Sequence, residues 1–176
     1  AAFRTDPGFS VPPPRLSRAG PRAGAGRVAM VAASRFRRPV FKALRRVDIE
    51  GWHVLGGTST HSVYLRNLAD TLLGDVGGWS TTLAGGRHAA GGFYRFAGDR
   101  AYWFHRPNLP GALDAGLVAV RRTPLSATLV LGLFELGRDE PALLYTADRV
   151  SVDAAGRPAA CAPELGRAFE KLHVGC

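Results

Sequence analysis

Apolar residues recur with two different periods along this chain, and each period predicts one kind of secondary structure. Over residues 61–73 they recur every three or four positions, which predicts an amphipathic helix that Gly74 ends. Residues 163–172 repeat that spacing and predict a second, shorter helix near the end of the chain. Elsewhere apolar and polar residues alternate with a period of two. This alternation predicts a strand over residues 47–55, and residues 117–120, 127–136 and 142–147 are predicted as further strands.

Two pairs of segments have the sequence pattern of β-hairpins. The aromatic segments 92–97 and 101–106 flank Gly98, Asp99 and Arg100, which predicts a tight turn. A second hairpin is predicted around residues 154–156. Together these elements predict an α+β fold, namely a mostly antiparallel β-meander with one central and one C-terminal helix, preceded by an extended basic N-terminal arm.

Charge divides the chain into two parts of different character. Residues 1–46 contain eleven basic residues and one acidic residue, whereas residues 47–176 contain twelve basic and thirteen acidic residues. The net charge of +9 therefore belongs to the arm, and the single domain expected over residues 47–176 is close to neutral. A nucleic-acid-binding domain would instead carry a basic patch on its folded surface. No uncharged apolar run reaches the ~18 residues that a membrane-spanning helix needs.

Residues 1–30 have the composition of a targeting segment. They are rich in Pro, Gly, Ala, Ser and Arg, with few large apolar side chains to bury. The start Ala1-Ala2-Phe3 and the later Phe9-Ser10-Val11-Pro12, followed by scattered Arg and Ser, resemble the targeting region of proteins imported into red-lineage complex plastids, including those of dinoflagellates. The resemblance implies a plastid protein peripheral to the thylakoid membrane, with the mitochondrion as the alternative. The arm is then either a remnant of that segment or an ordered extension that lies on a partner.

The end of the arm, residues 34–46, predicts a short basic amphipathic helix. Pro39 suits its first turn, and Val40, Phe41 and Leu44 then share one face among basic side chains. Such a helix binds an anionic membrane surface or the acidic groove of a partner, or it packs on its own domain and exposes its Arg side chains. The residues expected to contact a partner are Phe36, Arg37, Arg38, Phe41, Arg45 and Arg46.

Motifs that carry chemistry are not recognisable in the sequence. The five His residues lack the spacing of a metal site, and Cys161 and Cys176 do not form a C-x-x-C pair. The Gly-rich segment 83–92 leads into predicted strands rather than into the helix that follows a phosphate-binding loop. There is no G-x-S-x-G motif and no evident pair of inward-facing carboxylates. These features predict a protein that is not an enzyme and that holds no metal or cofactor.

Aromatic and Arg residues are concentrated in the hairpin predicted over residues 92–106. Outward-facing aromatic side chains beside Arg could stack on RNA bases or on a pigment, or form a protein interface. The simplest interpretation is a core face with Arg side chains on the opposite face. The residues considered for a ligand or an interface are Arg87, His88, Arg95, Trp103 and His105.

These features favour a non-catalytic accessory or structural subunit of a plastid photosystem–antenna supercomplex. The basic arm would tether the domain to neighbouring protein subunits and to anionic lipid headgroups. The alternative is an RNA-binding subunit of an organellar ribosome, whose arm would contact rRNA. A third hypothesis, from a different class, is a small enzyme or ligand-binding β-domain with a pocket formed by Arg87, His88 and His105.

Overall fold

Five antiparallel strands form one sheet, with two helices on one of its faces. The computed structural model describes residues 34–50, 58–79 and 93–175. The elements in chain order are β1 (Ala43–Ile49), α1 (Thr58–Gly77), β2 (Phe93–Trp103), β3 (Gly111–Arg122), β4 (Ser126–Glu135), β5 (Pro141–Val152) and α2 (Pro163–Leu172). The strand order is β1-β3-β4-β5-β2, and all neighbours are antiparallel. The predicted α+β fold with a mostly antiparallel meander and two helices is therefore confirmed.

Strands β3, β4 and β5 form the centre of the sheet and are buried on both faces. Along β4, Leu131 and Leu133 belong to the apolar cluster beneath the helices, whereas Val130 and Phe134 belong to a second cluster on the opposite face. Because both faces exclude water, the strand shows an almost continuous apolar run. The strand predictions in this region are confirmed, although β3 begins at Gly111, earlier than expected.

Helix α1 packs on the sheet through the apolar face that its sequence predicts. Leu65, Leu72 and Leu73 are buried against the sheet. The helix continues through Gly74 and ends at Gly77, because the backbone reverses at Gly78, where φ is +74°. Helix α2 has the bounds that the sequence predicts and contacts both α1 and β3. In the described part of the chain, neither helix combines the length and the apolar character that crossing a membrane would require.

The segment just before β1 covers the opposite face of the sheet, and we call residues 34–42 the N-terminal staple. Its Phe41 is 5% exposed, and the Phe41 ring meets the Phe134 ring edge-on at 5.0 Å between centroids. Gly132 lies directly under the Phe41 ring, since a Cβ added there would lie 2.7 Å from a ring atom. The ring therefore occupies space that a side chain at residue 132 would need.

The helix predicted over residues 34–46 does not form. Residues Arg38–Val40 make one 3-10 turn, and β1 begins at Ala43. Strand β1 pairs with β3 from Ala43↔Leu117 to Ile49↔Gly111. Pairing along a whole strand edge satisfies more backbone groups than an isolated short helix would, so the tertiary context overrides the local pattern.

The aromatic segment 92–106 is not a hairpin. Strand β2 runs through Gly98 and Arg100 without a turn and pairs with β5 from Phe93↔Val152 to Trp103↔Leu143. The extra residue is absorbed by a bulge between Phe96 and Gly98. The predicted turn residues Gly98, Asp99 and Arg100 therefore pair with β5, because β5 is long enough to pair with both halves of the predicted hairpin.

Candidate functional site

The predicted partner-binding residues of the N-terminal staple and of β1 contact the domain itself. Phe36 and Phe41 have ring centroids 6.4 Å apart on the outer face of the sheet. Arg38 Nη2 lies 2.5 Å from Asp114 Oδ2, and Arg46 Nε lies 3.5 Å from Asp114 Oδ1. Asp114 is 5% exposed, so its charge is compensated by two guanidinium groups from the segment that was assigned to the arm.

The two other basic residues of that set form exposed ion pairs within the chain. Arg37 Nη2 lies 3.1 Å from Glu140 Oε1, and Arg45 Nη1 lies 3.2 Å from Asp75 Oδ2. Exposed pairs of this kind contribute little to stability, about 0–1 kcal/mol each. All six residues thus have neighbours in their own domain, and their contact with a partner stays a prediction.

The residues considered for a ligand are only partly covered by the structure. Trp103 is 37% exposed at the end of edge strand β2. His105 follows in the loop to β3, and its Nε2 lies 3.1 Å from Glu135 Oε2, which Arg138 Nε also approaches to 3.2 Å. This places His105 in an ion-pair group at the end of the sheet. The rest of the set falls outside the described residues: Arg87, His88 and the side chain of Arg95.

A cluster of charged and phenolic side chains lies between α1 and the strands β5 and β2. Helix α1 contributes Arg66 and Asp70, which are four residues apart and so lie on one side of the helix. Strand β5 contributes Tyr145 and Arg149, which face the same way, and β2 contributes Asp99. We call these five residues the helix-flank cluster.

Hydrogen bonds and ion pairs connect the helix to the sheet in this cluster. Arg149 Nη2 donates to Asp70 Oδ1 at 2.9 Å. Tyr145 Oη donates to Asp99 Oδ2 at 2.9 Å, and Arg66 Nη2 donates to the same oxygen at 3.4 Å. Each carboxylate is therefore held by a group from a different element, and the cluster ties α1 to both strands.

The five residues of the cluster differ in the fraction of each side chain that is exposed to solvent. Arg149 and Tyr145 are each 1% exposed, whereas the side chains of Asp70, Asp99 and Arg66 are 14%, 28% and 35% exposed. The two carboxylates lie between the buried groups and the solvent. Water can therefore reach them, while the two buried groups, Arg149 and Tyr145, restrict their orientation.

The Tyr145 phenol is a fixed hydrogen-bond donor in this cluster. Burial raises the pKa of Tyr145 to about 12, and the hydrogen bond to Asp99 adds to this effect. The phenol therefore keeps its proton at every physiological pH. It orients Asp99 and does not act as an acid or a base in neutral solution.

Tyr145→Phe is expected to lower the free energy of unfolding by about 1.5–3 kcal/mol at pH 7, because the phenol donates to a carboxylate. The unfolded phenol ionises near its ordinary pKa of 10.0 and the folded phenol only near 12. The contribution of the phenol is therefore complete below pH 10 and is lost as pH rises to 12. Urea unfolding of both proteins between pH 7 and 12 measures this difference.

The control for this prediction is Tyr102→Phe, since Tyr102 is exposed on β2. It should change the stability at pH 7 by less than about 0.5 kcal/mol. A difference between wild type and Tyr145→Phe that stayed constant from pH 10 to pH 12 would contradict the role assigned to the phenol.

Sequence reasoning missed this cluster although one signal was available. In β5 the residues Leu143, Tyr145 and Ala147 face the helices, and Arg149 occupies the next position in that series. A charged residue at a strand position whose side chain points to the buried face indicates a buried ion pair. The strand predicted over residues 142–147 ends before Arg149, so the sequence does not show that Arg149 continues this buried series.

The architecture of the chain matches solved structures at low sequence identity. No protein-family model matches the chain, and no curated protein matches it in sequence. A Pseudomonas aeruginosa protein of known structure is 20% identical, with a TM-score of 0.64 over 78% of this chain and 95% of that one. A thioesterase from Thermus thermophilus, solved with coenzyme A and zinc, is 16% identical, with a TM-score of 0.54 over 75% and 94%. A 1,4-dihydroxy-2-naphthoyl-CoA thioesterase from Synechocystis is 7% identical, with a TM-score of 0.57 over 73% and 96%.

These likenesses overturn the functional interpretation made from the sequence. The photosystem-subunit hypothesis, its ribosomal alternative and the prediction that the protein is not an enzyme are wrong, because the fold is one that known thioesterases use. The predicted partners, namely subunits of a large complex, lipid headgroups and RNA, are wrong for the same reason, since one neighbour was solved with the small molecule coenzyme A. The overturned interpretation depends on the basic arm, whereas the likeness to thioesterases depends on the folded domain. The chain has the hot-dog-like fold of these thioesterases.

Proposed function

We propose that the protein is a thioester hydrolase that acts on acyl-CoA substrates. The observation that carries this proposal is the shared architecture, which spans 94% and 96% of two thioesterases. The helix-flank cluster supports it independently, because it holds two solvent-accessible carboxylates in fixed orientations beside α1. The proposal corresponds to the third hypothesis from the sequence, a small enzyme, but with a different set of residues.

The reaction requires a base that activates water. Water attacks the carbonyl carbon of the thioester while the base takes a proton, the C–S bond breaks, and the CoA thiolate leaves and is protonated. We assign the base to Asp70. Its Oδ1 accepts from Arg149, and within the described residues its Oδ2 accepts no hydrogen bond, so Oδ2 can bind a water molecule.

Asp99 has a different role in this proposal. Its Oδ2 already accepts from both Tyr145 and Arg66. It is therefore less able to take up a proton from water, and through its pair with Arg66 it ties β2 to α1. This division of roles between the two carboxylates is testable residue by residue.

The test is hydrolysis of a panel of acyl-CoA thioesters by the purified full chain. Acyl chains of increasing length and one aromatic acyl group should be included, and release of the free thiol should be followed with a colorimetric thiol reagent. We expect turnover of at least one class in the usual enzyme range, roughly 1–10³ s⁻¹. Calorimetric titration with coenzyme A measures binding separately. Binding of coenzyme A without release of thiol from any thioester would contradict the proposed hydrolysis.

A further inference from the structure

Arg149 is a charged residue where the fold alone would favour an apolar one. It is 1% exposed and lies in the helix-facing series of β5 that includes Leu143 and Ala147. Removing a guanidinium from water is costly, and replacing a buried ion pair by apolar side chains of similar volume is often neutral or stabilising. Stability therefore does not account for a charge at this position.

The contact that Arg149 makes with Asp70 restricts one carboxylate oxygen and leaves the other accessible. Nη2 donates to Oδ1 at 2.9 Å, whereas Oδ2 has no hydrogen-bond donor among the described residues. A planar guanidinium is pre-organised, so a hydrogen bond from it costs less side-chain freedom than one from a flexible lysine ammonium. With Oδ1 held, Oδ2 keeps a defined direction toward any water that it binds.

The support behind Arg149 is itself rigid. Strand β5 lies between β4 and β2, and Arg149 pairs with Ala127 on one side and with Phe96 on the other. Four residues earlier on the same strand, Tyr145 holds the second carboxylate, Asp99. One central strand thus orients both carboxylates of the cluster. Sites supported by strands inside a sheet hold their geometry better than sites on loops.

We propose that Arg149 is a positioning residue that orients Asp70 for water activation. The inference rests on the proposed thioester hydrolase function. Arg149 does not touch substrate in this assignment, and it acts only through the carboxylate that it holds. Its removal should therefore affect the chemical step and leave substrate binding nearly unchanged.

The experiment compares steady-state kinetics of the full chain and of the Arg149→Met, Arg149→Lys and Asp70→Asn variants, with Arg167→Met as control. Arg167 lies in an exposed pair with Glu164 on α2. Arg149→Met should lower kcat by about 10²-fold and change KM by less than about twofold, because misplacing a catalytic group costs rate. In a chain that already carries Asp70→Asn, adding Arg149→Met should lower kcat by less than about a further threefold, because the two residues act as a unit. Arg149→Lys should restore part of the rate, and Arg167→Met should leave it unchanged.

Each outcome of this experiment supports or overturns the inference. If Arg149→Met melts at a lower temperature but keeps the wild-type kcat, Arg149 is only structural, and the proposed function still stands. If Arg149→Met does not fold, Arg149→Lys decides, because a folded Lys variant with wild-type kcat also overturns the inference. If the wild-type chain hydrolyses no thioester, the proposed function fails and the role of Arg149 fails with it.

Discussion

Asp70→Asn is expected to lower kcat for acyl-CoA hydrolysis by about 10²- to 10⁴-fold, the usual contribution of a general base. The side chain keeps its shape, and its amide oxygen can still accept the hydrogen bond that Arg149 donates to Oδ1. What it loses is the ability to take a proton from water. KM should change little, because the substitution removes no group that binds substrate in the proposed mechanism. Steady-state kinetics gives both constants, and circular dichroism confirms that the variant is folded.

Two matched substitutions make this prediction specific. Asp139→Asn alters an exposed carboxylate in the turn between β4 and β5 and should leave kcat unchanged. Asp99→Asn alters the second carboxylate of the helix-flank cluster and should lower kcat by less than about tenfold, since Asp99 does not activate water in this assignment. If Asp99→Asn proves the more damaging of the two, the roles of the carboxylates are reversed. Wild-type kcat in Asp70→Asn would remove Asp70 from the mechanism altogether.

Phe41→Ala is expected to cost about 3–5 kcal/mol of the free energy of unfolding, as is typical for a buried aromatic side chain. The Phe41 ring packs against Phe134 and fills the space above Gly116 and Gly132. Removing the ring leaves a cavity, because Gly116 and Gly132 have no side chains that could fill the space. The N-terminal staple would lose its main apolar contact, and the paired Asp114 beneath it would gain access to water. Urea unfolding at neutral pH measures the loss.

Leu44→Ala is the control for this prediction, because Leu44 lies in β1 next to the staple but is 48% exposed. It should cost less than about 1 kcal/mol. A loss below 1 kcal/mol in Phe41→Ala would show that the staple does not stabilise the domain, and residues 34–42 would then be an appendage. The expected large loss would make the staple an integral part of the fold.

The candidate site was much less predictable from the sequence than the fold was. Its five residues come from α1, β2 and β5, so no local motif connects them. Asp99 was placed in a turn because Gly98-Asp99-Arg100 has turn composition, whereas pairing with β5 makes it part of a strand. Arg66 and Asp70 are charged residues beside the apolar stripe of an amphipathic helix, where charged residues are ordinary. Only the position of β5 relative to α1 shows that they have partners.

Local periodicity determined the elements whose environment is uniform along their length. The bounds of α2 and the apolar face of α1 follow from three- and four-residue spacing, because each helix contacts the core along a single stripe. Strand β4 and the first half of β5 follow from their apolar runs, since most of their side chains are buried on both faces of the sheet. These predictions needed no knowledge of what each element packs against.

Tertiary structure decided the remaining features, because they depend on which strand lies next to which. Residues 43–46 join β1 rather than a helix because β3 offers them an edge to pair with. Residues 98–100 form part of β2 rather than a turn because β5 is long enough to pair with the whole strand. Arg149 and Asp70 become a pair because the fold brings α1 within side-chain reach of β5. In each case the free energy of contacts with a distant segment exceeds the local conformational preference of a few residues. A short stretch of sequence shows directly only that local preference.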